Sequence, residues 1–119
     1  MHFTIKVARG LLFADLFHRE TAHDMQEFID ALSGEVRKKD CQRILICVRH
    51  SRPLFMAQDY ADLMRLASDP TIRVALVGDS ADLHASHHLV ELLTRERGAN
   101  VRGFASEASA YKWLRRWSS

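Results

Sequence analysis

The spacing of apolar residues changes period along this chain, and each change marks an element. Phe3 to Val7 alternates apolar with polar, Leu11 to Phe17 is a second β-prone run, and Arg9-Gly10 between them reads as a hairpin turn. Thr21 followed by Asp24 resembles a capping box. Met25, Phe28, Ile29, Leu32 and Val36 then recur at helical spacing and predict a first amphipathic helix. Ile44 to Val48 is a short apolar run, as expected of a strand covered on both faces.

A second helix is predicted over Met56 to Ala67, with Tyr60, Leu63, Met64 and Ala67 on its inner stripe and Asp69-Pro70 ending it. The run "IRVALVG" at 72–78 is another buried strand. A third helix is expected over Asp82 to Arg97, closed by Gly98. Val101 to Phe104 makes a last strand. Ser106 caps a final helix with Ala110, Trp113, Leu114 and Trp117 on its apolar face. The order β-β-α-β-α-β-α-β-α calls for one α/β domain over residues 1–119. Its five-stranded mixed sheet would be mostly parallel, with an antiparallel hairpin at the start, and packed with four helices.

Composition narrows the class without naming a job. The chain has 119 residues, 47% apolar and 27% charged, which suits one globular domain. A formal charge of +2 gives no case for nucleic acid. Arg37-Lys38-Lys39 and Arg115-Arg116 sit where helices end, and cations there complement the helix dipole. No apolar run is long enough to span a membrane, and no secretory leader is read at the N-terminus. Cys41 and Cys47 form no CxxC pair and read as reduced thiols of a cytoplasmic protein. No sequence feature calls for a cofactor.

Local sequences carry a resemblance. The opening hairpin, "AHDMQEFIDAL", "IRVALVGD" and the closing "VRGFASEASAYKWL" resemble the SpoIIAA-like branch of the STAS superfamily (sulphate transporter and anti-sigma factor antagonist domains), which is grouped with Sec14-type lipid-binding folds. The resemblance covers nearly the whole chain, and it rests on core and capping features rather than catalytic ones. It implies a bacterial regulatory module without enzymatic activity. In antagonists of this kind a serine in an Asp-Ser pair, after the central strand, accepts phosphate. Ser51 in "VRHSRPLFM" stands at that place, but His50 replaces the aspartate and Arg52-Pro53 follow it.

Three sites are candidates. In "HASHH", a wheel at 100° per residue puts Leu83, Ala85, Leu89, Val90, Leu92 and Leu93 on one half of the third helix. His84, His87, His88, Glu91 and Arg95 fall on the other, as a solvated face; His84 and His88, four apart with Glu91 close by, could hold a divalent ion, but no distant third ligand announces itself. The C-terminal strand ends are the second place, because open α/β sheets bind ligands there. His50, Ser51 and Arg52 follow one strand, and Asp79 and Ser80 follow the next. Asp79, His50 and Ser51 include the residue types of a hydrolytic triad, but the serine lacks small neighbours and an oxyanion hole, and Asp79-Ser80 reads more simply as a helix cap. Third, Leu54, Phe55 and Met56 are consecutive large apolar residues at a helix entry and, with Phe13, Phe17 and Met64, form either core or an apolar groove or dimer interface.

The sequence thus predicts a protein-interaction module working through His50–Met56 and Asp79–Ser80, with a protein partner or a second copy of itself. The alternatives are a small apolar or lipid-like ligand between the second and third helices, as the Sec14 likeness implies, and a hydrolase using Ser51.

Overall fold

Strand order in space repeats strand order in the chain. The computed structural model describes residues 1–51 and 56–116, with side chains in the second helix described from Tyr60 onward. Strands β1 (His2–Ala8), β2 (Leu11–Phe17), β3 (Arg43–Arg49), β4 (Arg73–Gly78) and β5 (Asn100–Phe104) form one sheet in the order β1-β2-β3-β4-β5. β1 pairs antiparallel with β2, and every later pair is parallel. The hairpin turn has Arg9 at φ 54° and Gly10 at φ 75°, the left-handed pair that lets a two-residue turn follow the strand twist.

Helices α1 (Ala22–Lys39), α2 (Met56–Leu66) and α3 (Ala81–Arg95) connect the parallel strands, and α4 (Glu107–Arg115) ends the described chain. Each parallel strand is added to the same edge, so right-handed crossovers put α1, α2 and α3 on one face. The period-two alternation of the strands divides the core accordingly. Ile44, Ile46 and Val48 of β3 pack with Phe28, Leu32, Leu63 and Leu83 from the three helices. Leu45 and Cys47 face the other way, against Ala110, Trp113 and Leu114 of α4. None of the described helices is long and apolar enough to cross a membrane.

The local signals act as expected. The Thr21 hydroxyl accepts the Asp24 N–H at 3.1 Å, and the Asp24 carboxylate accepts the Thr21 N–H in return. All five apolar positions of the first helical stripe are buried. From Tyr60 onward, α2 buries Leu63 and Leu66 together with Asp62, Ala67 just past its end is buried as well, and Met64 packs at their edge. Gly98, at φ 77°, closes the turn after α3, where the Ala99 N–H reaches back to the Thr94 carbonyl. Trp117, expected on the face of the last helix, lies outside the described residues.

One expectation is overturned. The half of α3 assigned to solvent supplies His87 and Glu91, which are 8% and 7% exposed. From the half assigned to the core, Leu89, Leu92 and Leu93 are 46%, 42% and 38% exposed. The buried stripe is Leu83, His87, Val90, Glu91 and Thr94, so the helix is turned by about a third of a turn from its apolar side. The cause lies in the sheet below. Gly78 on β4 and Gly103 on β5 carry no side chain, and His87 fills the space. A Cβ at Gly103 would stand 3.1 Å from the Cβ of His87. Glu91 then accepts the Gly103 N–H at 2.8 Å, satisfying a backbone donor that apolar side chains would leave bare.

Candidate functional site

The C-terminal ends of the parallel strands bring His50, Ser51, Asp79 and Ser80 to one edge, together with residues the sequence reading missed. β2 runs out into His18 and Arg19, and β3 into His50 and Ser51. The His18 N–H donates to the Arg49 carbonyl at 3.2 Å, continuing the ladder past the strand ends. Both histidines hold left-handed backbones, His18 at φ 57° and His50 at φ 49°, and their rings stack with centroids 5.7 Å apart. A non-glycine residue in this region costs free energy that its surroundings must supply. For His50 the support comes from Asp79, whose Oδ2 accepts the His50 N–H at 3.0 Å and lies 3.8 Å from its Nδ1.

Ser51 is held from two sides. Its hydroxyl donates to the Arg49 carbonyl and accepts the Arg19 N–H, both at 2.9 Å, so it ties the exit of β2 to that of β3. The hydroxyl proton thus goes to a backbone carbonyl and not to the His50 imidazole. Asp79 meets His50 mainly through the main chain, and the three residue types of a hydrolytic triad stand together without its proton relay. Ser80 caps α3, accepting the Leu83 N–H at 3.1 Å. Arg52, Leu54 and Phe55 lie outside the described residues, as does the side chain of Met56, whose backbone opens α2.

The histidines of "HASHH" separate into three environments. The His84 Nε2 is 2.8 Å from the Gly78 carbonyl, so this ring folds over the loop before its own helix. His88 is exposed. His87 is buried over the two glycines, and its Nδ1 has no hydrogen-bond partner. Burial, with Arg19 and then His84 nearby, pushes its pKa down to about 4, so the ring is neutral at physiological pH. Among the described residues no group of three or more His, Cys, Asp or Glu is placed to hold a metal ion.

Around this edge the charged residues are tied locally. Arg49 reaches Asp15 at 3.4 Å and Glu107 at 3.5 Å. The Cys47 thiol donates to Glu107 at 3.2 Å, and burial together with that carboxylate pushes its pKa up to about 12. Arg19, only 5% exposed, is the buried cation of the edge. Nothing in the spacing of Arg19, Asp15 and Glu107 announces these roles. Gly78 and Gly103 did carry a signal, since a glycine inside a strand marks close approach of another element.

A family model described as SpoIIAA-like matches residues 11–115, and the chain belongs to that family. Neither the curated proteins nor the solved structures gave a match.

Proposed function

We propose that this SpoIIAA-like chain is a non-enzymatic regulatory module of the cytoplasm that docks a protein partner on the outer face of α3 and the adjoining strand-end loops. The observation that carries this reading is the exposure of Leu89, Leu92 and Leu93 on a helix that buries His87 and Glu91 in their stead. Single exposed leucines are ordinary, but three within five residues, on adjacent turns of one helix, form a continuous apolar face. That exposure is not a packing default, because it follows from the seats that Gly78 and Gly103 provide for His87.

The ends of this face argue for a partner other than a second copy. Asp82 and Glu96 stand at its two ends, both exposed. In an antiparallel self-pair centred on Leu89, Asp82 of one copy meets Glu96 of the other, and like charges oppose. A partner that brings an apolar stripe and a basic group opposite Asp82 fits better, since exposed Arg97 offsets Glu96 at the other end. The family supports an interaction role, and the local bonding of Ser51 favours regulation over hydrolysis. Phosphorylation of Ser51 belongs to the same reading. It would remove the hydroxyl proton now given to Arg49, loosening the clasp between the β2 and β3 exits and setting a dianion beside α3.

The test compares the wild type with Leu89→Asp/Leu92→Asp in cross-linked capture, followed by hydrogen exchange on the recovered complex. The expected result is a stoichiometric partner that protects α3 amides in the wild type and is lost from a normally folded double variant. Equal recovery by both proteins, or no protection on α3, overturns the reading. A concentration-dependent dimer in sedimentation, abolished by the double variant, would replace the partner with a second copy.

A further inference from the structure

At the opposite end of the sheet from these loops, a cleft of about 550 Å³ opens between the C-terminal ends of α1 and α2. This is within the size range of small-molecule sites, roughly 300–1,000 Å³. Its floor is apolar: Val36 from α1, Leu66 from α2 and Ile72 at the entry to β4, all buried. Its walls are fixed. Arg65 reaches Asp30 on α1 at 2.8 Å and Asp62 on its own helix at 3.1 Å, bracing the two helices across the opening. The Asp69 carboxylate is bonded to the backbone and hydroxyl of Thr71, which holds it ionised well within the neutral range.

Two charged groups on the rim have no such internal duty. Arg37 and Asp40 line the cleft without forming an ion pair with each other or with another described residue. Ser33 and Ser68 add hydroxyls beside them. The arginine offers a planar fork that suits a carboxylate. Asp40, where the last carbonyls of α1 point, offers a carboxylate in a region that favours cations.

From this arrangement we infer that the cleft binds a small zwitterion with an apolar body, of amino-acid to dipeptide size. The ligand carboxylate meets Arg37, its ammonium meets Asp40, and its apolar body lies on Val36, Leu66 and Ile72. The inference is independent of docking at α3, because the cleft lies at the other end of the strands and shares no residue with that face.

The test is an amide-resolved NMR titration of the folded protein with L-leucine and glycyl-L-leucine, up to about 10 mM, in the range where weak small-molecule binding saturates. The singly charged analogues 3-methylbutylamine and 4-methylpentanoate serve as comparisons. The expected result is saturable shifts confined to residues around Arg37, Asp40 and Ile72 with one of the zwitterions. Affinity should fall at least about tenfold for either analogue, and likewise for Arg37→Ala and Asp40→Asn. Both positions are exposed, and asparagine suits the left-handed backbone that residue 40 holds at φ 52°, so the fold is kept, as the unshifted remainder of the spectrum reports. No saturable shift from either zwitterion, equal binding of a singly charged analogue, or shifts centred away from the cleft each overturn the inference.

Discussion

Gly78 and His87 compete for one volume: a Cβ on Gly78 would stand 3.3 Å from the His87 Cε1 and 2.6 Å from the Leu83 Cβ. The helix lies this close to the sheet only because the strand is bare at that point. Gly78→Ala is expected to destabilise the protein by about 1–3 kcal/mol, the usual cost of overpacking a filled core. Gly34, inside α1 with nothing within 4 Å of its would-be side chain, is the control. Gly34→Ala should stabilise by roughly 0.5–1 kcal/mol through helix propensity. Urea unfolding of both variants measures the opposing signs.

Stability should fall in acid through His87. Its pKa in the folded state is about 4 against 6.5 for a free imidazole, so between these values the unfolded chain binds more protons. The contribution is complete above pH 6.5 and is lost as pH falls toward 4, amounting to roughly 3 kcal/mol over the window. His87→Met keeps much of the volume and removes the titration. Unfolding free energies at several pH values should show a slope in this window for the wild type and a flatter profile for the variant.

Glu91 holds the outer strand by a charged acceptor. Its Oε1 takes the Gly103 N–H, and its Oε2 pairs with Arg95 at 2.8 Å. Glu91→Ala should cost about 1–3 kcal/mol by leaving a part-buried donor without a partner. Amide exchange at Gly103 should accelerate with it, whereas Glu91→Gln, which keeps an acceptor, should retain most of the protection.

Cys47 is expected to resist alkylation in the native protein. Burial and Glu107 suppress the thiolate, the reactive species, far below its normal population. Iodoacetamide at mildly alkaline pH should label it at the rate of unfolding, and labelling as fast as a free thiol would disprove the buried hydrogen bond to Glu107.

The exposed leucines should be nearly silent in stability. Leu89→Ser and Leu92→Ser are expected to change the unfolding free energy by no more than about 0.5 kcal/mol, the usual range for surface positions. A loss typical of a core leucine, about 2–5 kcal/mol, would mean that the face is packed in solution.

What could be read from the sequence was what depends on near neighbours. The Thr21–Asp24 box, the Arg9-Gly10 turn, the stripe from Met25 to Val36 and the caps at Ser80 and Ser106 are short-range devices, and each appears where its spacing put it. The rotation of α3 was not legible by the same means. A wheel assumes that the ground beneath a helix accepts any apolar side chain equally. Here two glycines on separate strands, 25 positions apart in sequence, select an imidazole, and a strand-edge N–H selects a carboxylate. At the candidate edge, His50, Ser51, Asp79 and Ser80 were placed together correctly by topology. Their bonding to Arg19, His18 and Arg49 depends on where β2 exits, which no local pattern encodes.

Because strand order in space is the same as order along the chain, the sheet has a direction of growth. Each emerging strand meets an edge that the preceding residues have already completed, and no later segment must thread between earlier ones. A nascent chain leaving the ribosome can therefore extend its sheet unit by unit, with only one temporary open edge at any stage. Glu91, on α3, is already in place to take the Gly103 N–H when the final strand arrives, and α4 comes last, closing the opposite face of the sheet.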